Sequence, residues 1–192
     1  EKVSYEEMLE MASLGAKVLQ TRSVELAMHK RVPVRVLSSF IEPDENGILP
    51  QHAGTLICDE DEIVEKRIVS GVTMSRDEAR ITLLGLSDRT DAPADVFTRL
   101  AEAEVNVDMI VQSQARTEGA VNLTFTTGRR DARRAADLMS AAKADIGFEE
   151  IRVDDDVAKI SVIGVGMRSH AGVAQTMFRA LADKGVKFQA IS

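Results

Sequence analysis

The side chains able to do chemistry gather at two stretches of similar pattern. In the first, Asp88, Asp91, Ala92, Pro93 and Ala94 lie at the opening of an apolar-periodic segment, and Asp108 and Gln112 follow within a short apolar run. A free amino acid needs N–H donors for its carboxylate and oxygen acceptors for its ammonium. The first N–H groups of a helix have no intrahelical partner and the helix dipole favours an anion beside them, so the groups around Ala92 to Asp95 supply the donors. Asp88, Asp91 and Asp108 can accept from an ammonium, and Gln112 can bond either end. The plainer reading of Asp88 and Asp91 is helix capping, and of Asp108 a solvated or capping carboxylate. The second stretch offers donors around Gly172 to Gln175, with Gln189 and Ser192 at the corresponding strand positions and no carboxylate at the Asp108 position. That chemistry is either a pair of unequal seats or a single working seat for a small zwitterion.

The elements that must position these groups occur twice. Ile81, Leu83 and Gly85 alternate with Thr82 and Leu84 at a strand's period of two, and Val96, Phe97, Leu100 and Ala101 recur at helical spacing. Ile160, Val162 and Gly164, then Met177, Phe178, Leu181 and Ala182, repeat the pattern with a loop two residues longer. One supersecondary unit is used twice. Thr90 or Asp91 is expected to cap the first helix, with Pro93 tolerated in its first turn. Val105 to Val111 reads as a strand. Val121, Leu123 and Phe125 form its partner after a turn at Gly119, Asp131 to Ala144 a second helix, and Phe148 to Val153 a closing strand. This βαββαβ order is that of the ferredoxin-like unit, one sheet backed by two helices. The second copy reaches only its second strand, Val186 to Ser192, and Ile68 to Met74 is a strand without a partner in the first copy. Two strands and a helix cannot bury both faces, so either the chain is a fragment or another segment completes that sheet.

Upstream, Ser4 with Glu7 forms a capping box ahead of an apolar stripe of Met8, Leu9, Met11 and Ala12. Arg22 to Arg31 reads as a helix with Val24, Leu26 and Ala27 turned inward and Pro33 ending it. Val32 to Leu37 and Thr55 to Cys58 read as strands, Phe40 to Thr55 as linker or loop, and Asp59 to Glu62 as a solvated turn. With 192 residues and 44% hydrophobic side chains there is material for two small domains and a preceding piece. The net charge of −7 argues against nucleic acid and anionic membranes as partners. Cys58 is the only cysteine, so no intrachain disulfide is possible, and nothing reads as a signal peptide or spanning helix. A cytoplasmic protein is expected. Glu1 is no natural initiation residue, so further residues are expected before it.

Two other readings fail on residue types. The stretch from Gly164 to Ser169 follows a strand, but serine stands where a dinucleotide loop needs its third glycine and the next strand brings no acid for a ribose. His29, His52 and His170 share no ligand spacing, so no metal site is expected.

Residues 4–19, the Val32 to Val36 strand with Ser38, Ser39 and Phe40, and Gly54 to Ile57 resemble the carboxyl end of the amino-acid-kinase domain of aspartate kinases. Asn106 to Gln112, Asp154 to Lys159, and Gly166 to His170 are similar to that family's paired regulatory ACT domains. The resemblance covers nearly the whole chain in the right order. It implies an α+β fold: tandem ferredoxin-like ACT domains preceded by the end of an α/β amino-acid-kinase domain. The divisions are 1–40 for the kinase end, 41–66 linker, 67–77 a strand completing the second ACT domain, 78–156 the first ACT domain, and 157–192 the second, truncated. It also implies the activity of the complete protein, phosphorylation of aspartate by ATP with Mg2+, inhibited by lysine, threonine or both bound at the ACT pair. The implied assembly is a homo-oligomer through those domains. The phosphate loop and aspartate-binding residues are expected upstream, so this chain alone should catalyse nothing, contains no catalytic residue and binds neither ATP nor Mg2+ by itself. Lys17 matches the family's lysine near the ATP phosphates, although its spacing alone reads as a solvated helix lysine. Gln20 and Thr21 stand where the family commonly has His-Pro, and Thr90 and Asp91 where it has Pro-Gly. A stand-alone amino-acid-sensing subunit is the alternative.

Overall fold

The computed structural model describes residues 1–50, 53–63, 68–164 and 172–191. Two compact units divide the chain, one of residues 1–74 with 160–187 and the other of 75–159 with 188–192.

In the first unit, β1 (Lys2–Ser4) leads directly into α1 (Tyr5–Ser13). The expected capping box is complete: the Glu7 N–H donates to the Ser4 hydroxyl at 3.1 Å, and the Ser4 N–H donates to the Glu7 carboxylate at 3.2 Å. Then come α2 (Thr21–Lys30), β2 (Val34–Val36) and β3 (Thr55–Cys58), and the strands join in the order β1-β3-β2. β1 runs parallel to β3, and β2 antiparallel to it. Tyr5, Ala27 and Ile57 form the buried centre, with Met8, Leu19, Met28, Val34 and Val36 around it. The expectation for Leu26 is corrected: it is 61% exposed, while Val24 and Ala27 are buried. At 100° per residue Leu26 stands about 200° from Val24 and cannot share its face. α2 stops before Pro33, at Arg31, whose φ of 52° is left-handed.

The second unit is built on β4 (Gly71–Ser87), α3 (Ala92–Glu102), β5 (Val107–Gln114), β6 (Ala120–Gly128), α4 (Ala132–Ala141), α5 (Lys143–Ile146) and β7 (Glu150–Ile163). The sheet order β5-β6-β4-β7 is that of the ferredoxin-like unit. One face packs on the helices through Ile81, Leu83, Leu123 and Phe125 beneath Val96, Leu100, Ala135 and Met139. Phe97 meets Phe125 edge to face at 5.9 Å. The opposite face is polar: Arg80 bonds Asp154 at 3.1 Å, and the Thr82 and Thr124 hydroxyls lie 3.0 Å apart.

Three expectations change here. The expected strand Ile68 to Met74 starts at Gly71 and continues without a break through the first copy, and the first copy's closing strand continues through Ala158 into Ile163. The backbone bonds Glu149 N–H to Leu84 O and Ser70 N–H to Ile163 O, both 2.8 Å, fix β4 and β7 as antiparallel. The helix expected over Asp131 to Ala144 breaks at Ala142 into α4 and α5. In the second copy, α6 (Val173–Asp183) forms, but Val186 to Ile191 is no strand and Phe188 is 56% exposed. A strand without a paired neighbour gains no ladder bonds, and none of the described strands is paired with this segment.

The repeated glycine has a backbone reason. Gly85 has φ of +64° at an irregularity between Leu83 and Leu86, and a Cβ there would lie 2.5 Å from the Glu149 side chain. A Cβ on Gly164 would lie 2.5 Å from the Ile68 carbonyl oxygen. Leu83 is fully buried under both helices, so Leu83→Ala is expected to cost about 3 kcal/mol, read as a lowered urea midpoint with unchanged m-value.

Candidate functional site

The mouth of α3 lies where β4 ends. There Asp88 donates its N–H to Gly119 O at 3.1 Å and Ser87 donates to Gly147 O at 2.9 Å, so three loops meet beside Ala92, Pro93 and Ala94. Pro93 occupies the first turn of α3 as expected. The capping expectation is corrected: Asp91 is at the N-cap position in a helical conformation, and no side chain bonds the first-turn N–H groups. The cause is Arg89. Its guanidinium lies 3.5 Å from the Asp91 carboxylate and 3.1 Å from that of Asp95, and it also donates to Ile146 O at 3.4 Å. One cation thus pairs with two acids at the helix end; the Ala92 N–H donates to Arg89 O at 3.3 Å, and the Ala94 N–H is the first-turn donor left to suit an anion. Arg89 escaped the sequence reading, although its spacing from Asp91 and Asp95 was a usable signal.

Gln112 is exposed on the edge strand β5, level with Leu83 through their common neighbour Leu123 on β6. It stands toward the mouth end. Asp108 does not, and the expectation that it lies beside the loop is corrected. Val107 pairs with Thr127, and Thr127 with Ala79, so Asp108 starts its strand at the far end of the sheet from Asp88. About nine residues of β4 at 3.3 Å each separate the two levels, roughly 30 Å. Asp108 is bonded there to the ammonium of Lys159, which also lies 3.5 Å from Glu78. Lys159 is 19% exposed, Glu78 12% and Asp108 53%, so one enclosed ammonium serves an enclosed and an open carboxylate. Burial would lower the Lys159 pKa, but the hydrogen bond from Asp108 and the charge of Glu78 outweigh it and hold the value above the ordinary one.

Lys17 is exposed in the turn between α1 and α2. Gln189 is exposed in the extended tail, and Ser192 lies outside the described residues, as do His52 and His170. Gly172 starts α6 with φ of 104°, so that helix too lacks a side-chain cap. Asp59 to Glu62 includes a single 3₁₀ turn at Glu60–Glu62, and the described residues contain no group of three or more His, Cys, Asp or Glu placed to hold a metal. Among them, no helix is long and apolar enough to cross a membrane.

The raised pKa of Lys159 fixes how stability depends on pH. A lysine whose folded pKa exceeds its unfolded value of about 10.4 contributes fully below that pH and loses the contribution as pH rises through the folded pKa. Lys159→Met is expected to cost about 1 kcal/mol near neutral pH, a figure discounted for the solvent-screened Asp108. The gap to wild type should narrow in unfolding curves as pH rises beyond the ordinary lysine range and through the raised folded pKa.

The chain's relatives follow from comparison. A model of the ACT domain matches residues 160–192. The aspartokinase of Pseudomonas aeruginosa is 45% identical over 194 aligned residues, covering 100% of this chain and 45% of that protein, so the chain spans under half the relative's length. The solved regulatory subunit of aspartate kinase from Thermus thermophilus, in its ligand-free form, is 34% identical. It covers 66% of this chain and 82% of its own, with a TM-score of 0.60. E. coli aspartokinase III in complex with aspartate and ADP is 26% identical over 95% of this chain and 38% of that one, with a TM-score of 0.71. Its complex with lysine and aspartate matches at 23% identity and a TM-score of 0.68, covering 100% of this chain and 40% of that one, a likeness of fold alone. The chain belongs to the aspartokinase family and carries its regulatory, ACT-bearing part.

Proposed function

We propose that this chain is the sensing part of an enzyme that phosphorylates L-aspartate to 4-phospho-L-aspartate with MgATP, and that lysine, threonine or both bind it as feedback inhibitors. One observation carries the choice of enzyme over stand-alone regulator. The Thermus regulatory subunit accounts for 66% of this chain, whereas the P. aeruginosa enzyme aligns along all of it. The third of the chain outside that match has its counterpart in the relatives' enzyme. On this reading 1–40 is the kinase end and 41–66 the linker, while 67–77 completes the second ACT domain, 157–192, beside the first at 78–156. The bond from Ser70 N–H to Ile163 O supports the placing of 67–77. MgATP belongs to the kinase portion, with Lys17 the one residue here facing its phosphates. The described residues offer no metal cluster of their own.

The effector's carboxylate takes the uncapped N–H of Ala94, beside Ala92, whose own N–H donates to Arg89 O at 3.3 Å, with Pro93 shaping the turn and Asp88, Asp91 and Gln112 at its rim. Its ammonium takes Asp108 from a second ACT unit. β5 is an edge strand, so its backbone groups are open to another strand. Antiparallel pairing of two such edges sets the start of one β5, with Asp108, against the Gln114 end of the other, which is the mouth end. Gln189 and Ser192 line the weaker seat of the second copy. Binding between paired units favours one arrangement of a dimer or larger homo-oligomer. The resulting inhibition can be no stronger than the effector's differential affinity for the two arrangements.

Two measurements test this. The complete protein should turn over ATP only with aspartate and should lose activity with lysine or threonine; aspartate-independent or absent turnover in a folded preparation rules out the enzyme. Calorimetric titration should show Asp108→Ala weakening effector binding about tenfold or more, the worth of a charge-assisted hydrogen bond. Unchanged affinity removes Asp108 from the seat.

A further inference from the structure

The acceptor assigned to the effector's ammonium already holds one. Lys159 on β7 donates to Asp108 on β5, and Glu78 on β4 lies 3.5 Å from the same nitrogen. Three strands thus bring two carboxylates and a single ammonium together. The ammonium is shared by both acids, and Lys159 and Glu78 are enclosed while Asp108 stays half open. Asp108 therefore presents its free side to solvent with its charge largely met from within.

We infer that Lys159 is an internal competitor for the effector, an ammonium mimic that sets how strongly Asp108 can take an amino acid's ammonium and so tunes affinity at the sensing seat. The inference rests on the reading in which Asp108 receives that ammonium, and goes beyond it by naming the residue that opposes the ligand. A second cation approaching a carboxylate that already serves one gains less Coulomb energy and meets repulsion from the first. Glu78 limits the opposition. Because it shares the Lys159 charge, the cluster keeps a net charge of about −1, and an arriving ammonium completes the balance instead of exceeding it. The expected ligand class is a primary ammonium, and diammonium amino acids should respond most to changes at Lys159.

The two possible roles of Lys159 predict opposite signs. A merely structural lysine, once removed, loosens the start of β5 and weakens the effector. A competitor, once removed, strengthens it. The test is calorimetric titration of the complete protein with lysine and with threonine, for wild type, Lys159→Met, Lys159→Arg and Asp108→Ala, below the unfolding temperature of each. Lys159→Met should bind about tenfold more tightly than wild type, the worth of one charge-assisted bond no longer displaced. Lys159→Arg keeps the cation and can grip the carboxylate through two N–H groups, so it should bind no more tightly than wild type. If wild type binds and Asp108→Ala does not, yet Lys159→Met binds equally or less well, the competitor role is overturned and the seat survives. If both Lys159 variants shift in the same direction, packing and not charge is responsible, and the role is again overturned. If Asp108→Ala binds like wild type, the seat itself falls and the inference with it.

Discussion

The antiparallel pairing of β4 with β7 sets the position of every other element in the larger sheet. A strand's side chains alternate with a period of two, so a slip of one residue between these partners would send Ile81 and Leu83 to the polar face and Arg80 and Thr82 under the helices. The register is held from several directions. Leu84 and Glu149 share a backbone bond, Arg80 reaches Asp154 across the polar face, and the Gly85 backbone passes where a side chain would strike Glu149. Burial of the apolar face against α3 and α4 supplies the stability, and these contacts supply the alignment. The ion cluster at Lys159 depends on the same register, because its members come from three strands and meet only in one alignment.

Much of this architecture was legible in the sequence because each signal was local. The alternation around Ile81 and Leu83, the helical spacing of Val96, Phe97 and Leu100, and the Ser4 and Glu7 box each arise within a few residues, and all became the elements they announced. The glycine repeat was legible for a related reason: Gly85 has a left-handed φ of +64°, and Gly164 faces the close backbone of Ile68 to Ser70. What the local signals lacked was any mark where one copy ended and the next began. No glycine or proline interrupts 72–84 or 148–163, so strands expected as separate pieces run on as one.

The site was less legible, and Asp108 shows why. Its residue type and its neighbours pointed to a ligand acceptor, but its position along the sheet depends on the crossover. A strand followed by a helix and a parallel strand returns the chain to its starting end. The 11 residues of α3 span about 16 Å and residues 103–106 carry the chain further the same way, so the first residue of β5 had to lie away from the loop after β4. That step was available from connectivity alone. Arg89 and Lys159 were harder. An ion pair's choice of partner depends on which long side chains meet in space, and the sequence between Glu78, Asp108 and Lys159 carries no spacing that announces it.

A common electrostatic pattern joins the two clusters. At the mouth of α3 a single guanidinium serves Asp91 and Asp95, and at the start of β5 a single ammonium serves Glu78 and Asp108. In each, one cation is shared by two acids, leaving a residual negative charge that remains partly open to solvent. A site built this way does not offer a vacant full charge to its ligand. On the proposed reading it offers an exchange, in which the ligand's ammonium competes for a contact the protein already makes. The net gain is then small compared with the gross interaction. For a sensor this is an advantage, because the response must track changes in a metabolite that is always present, and a small net gain keeps the seat reversible. It also makes the response sensitive to any rearrangement that alters the internal pairing, since loosening the Lys159 bond to Asp108 raises the ligand's share without any change in the ligand's own contacts. The state of the sheet and the occupancy of the seat are thereby coupled through one hydrogen bond.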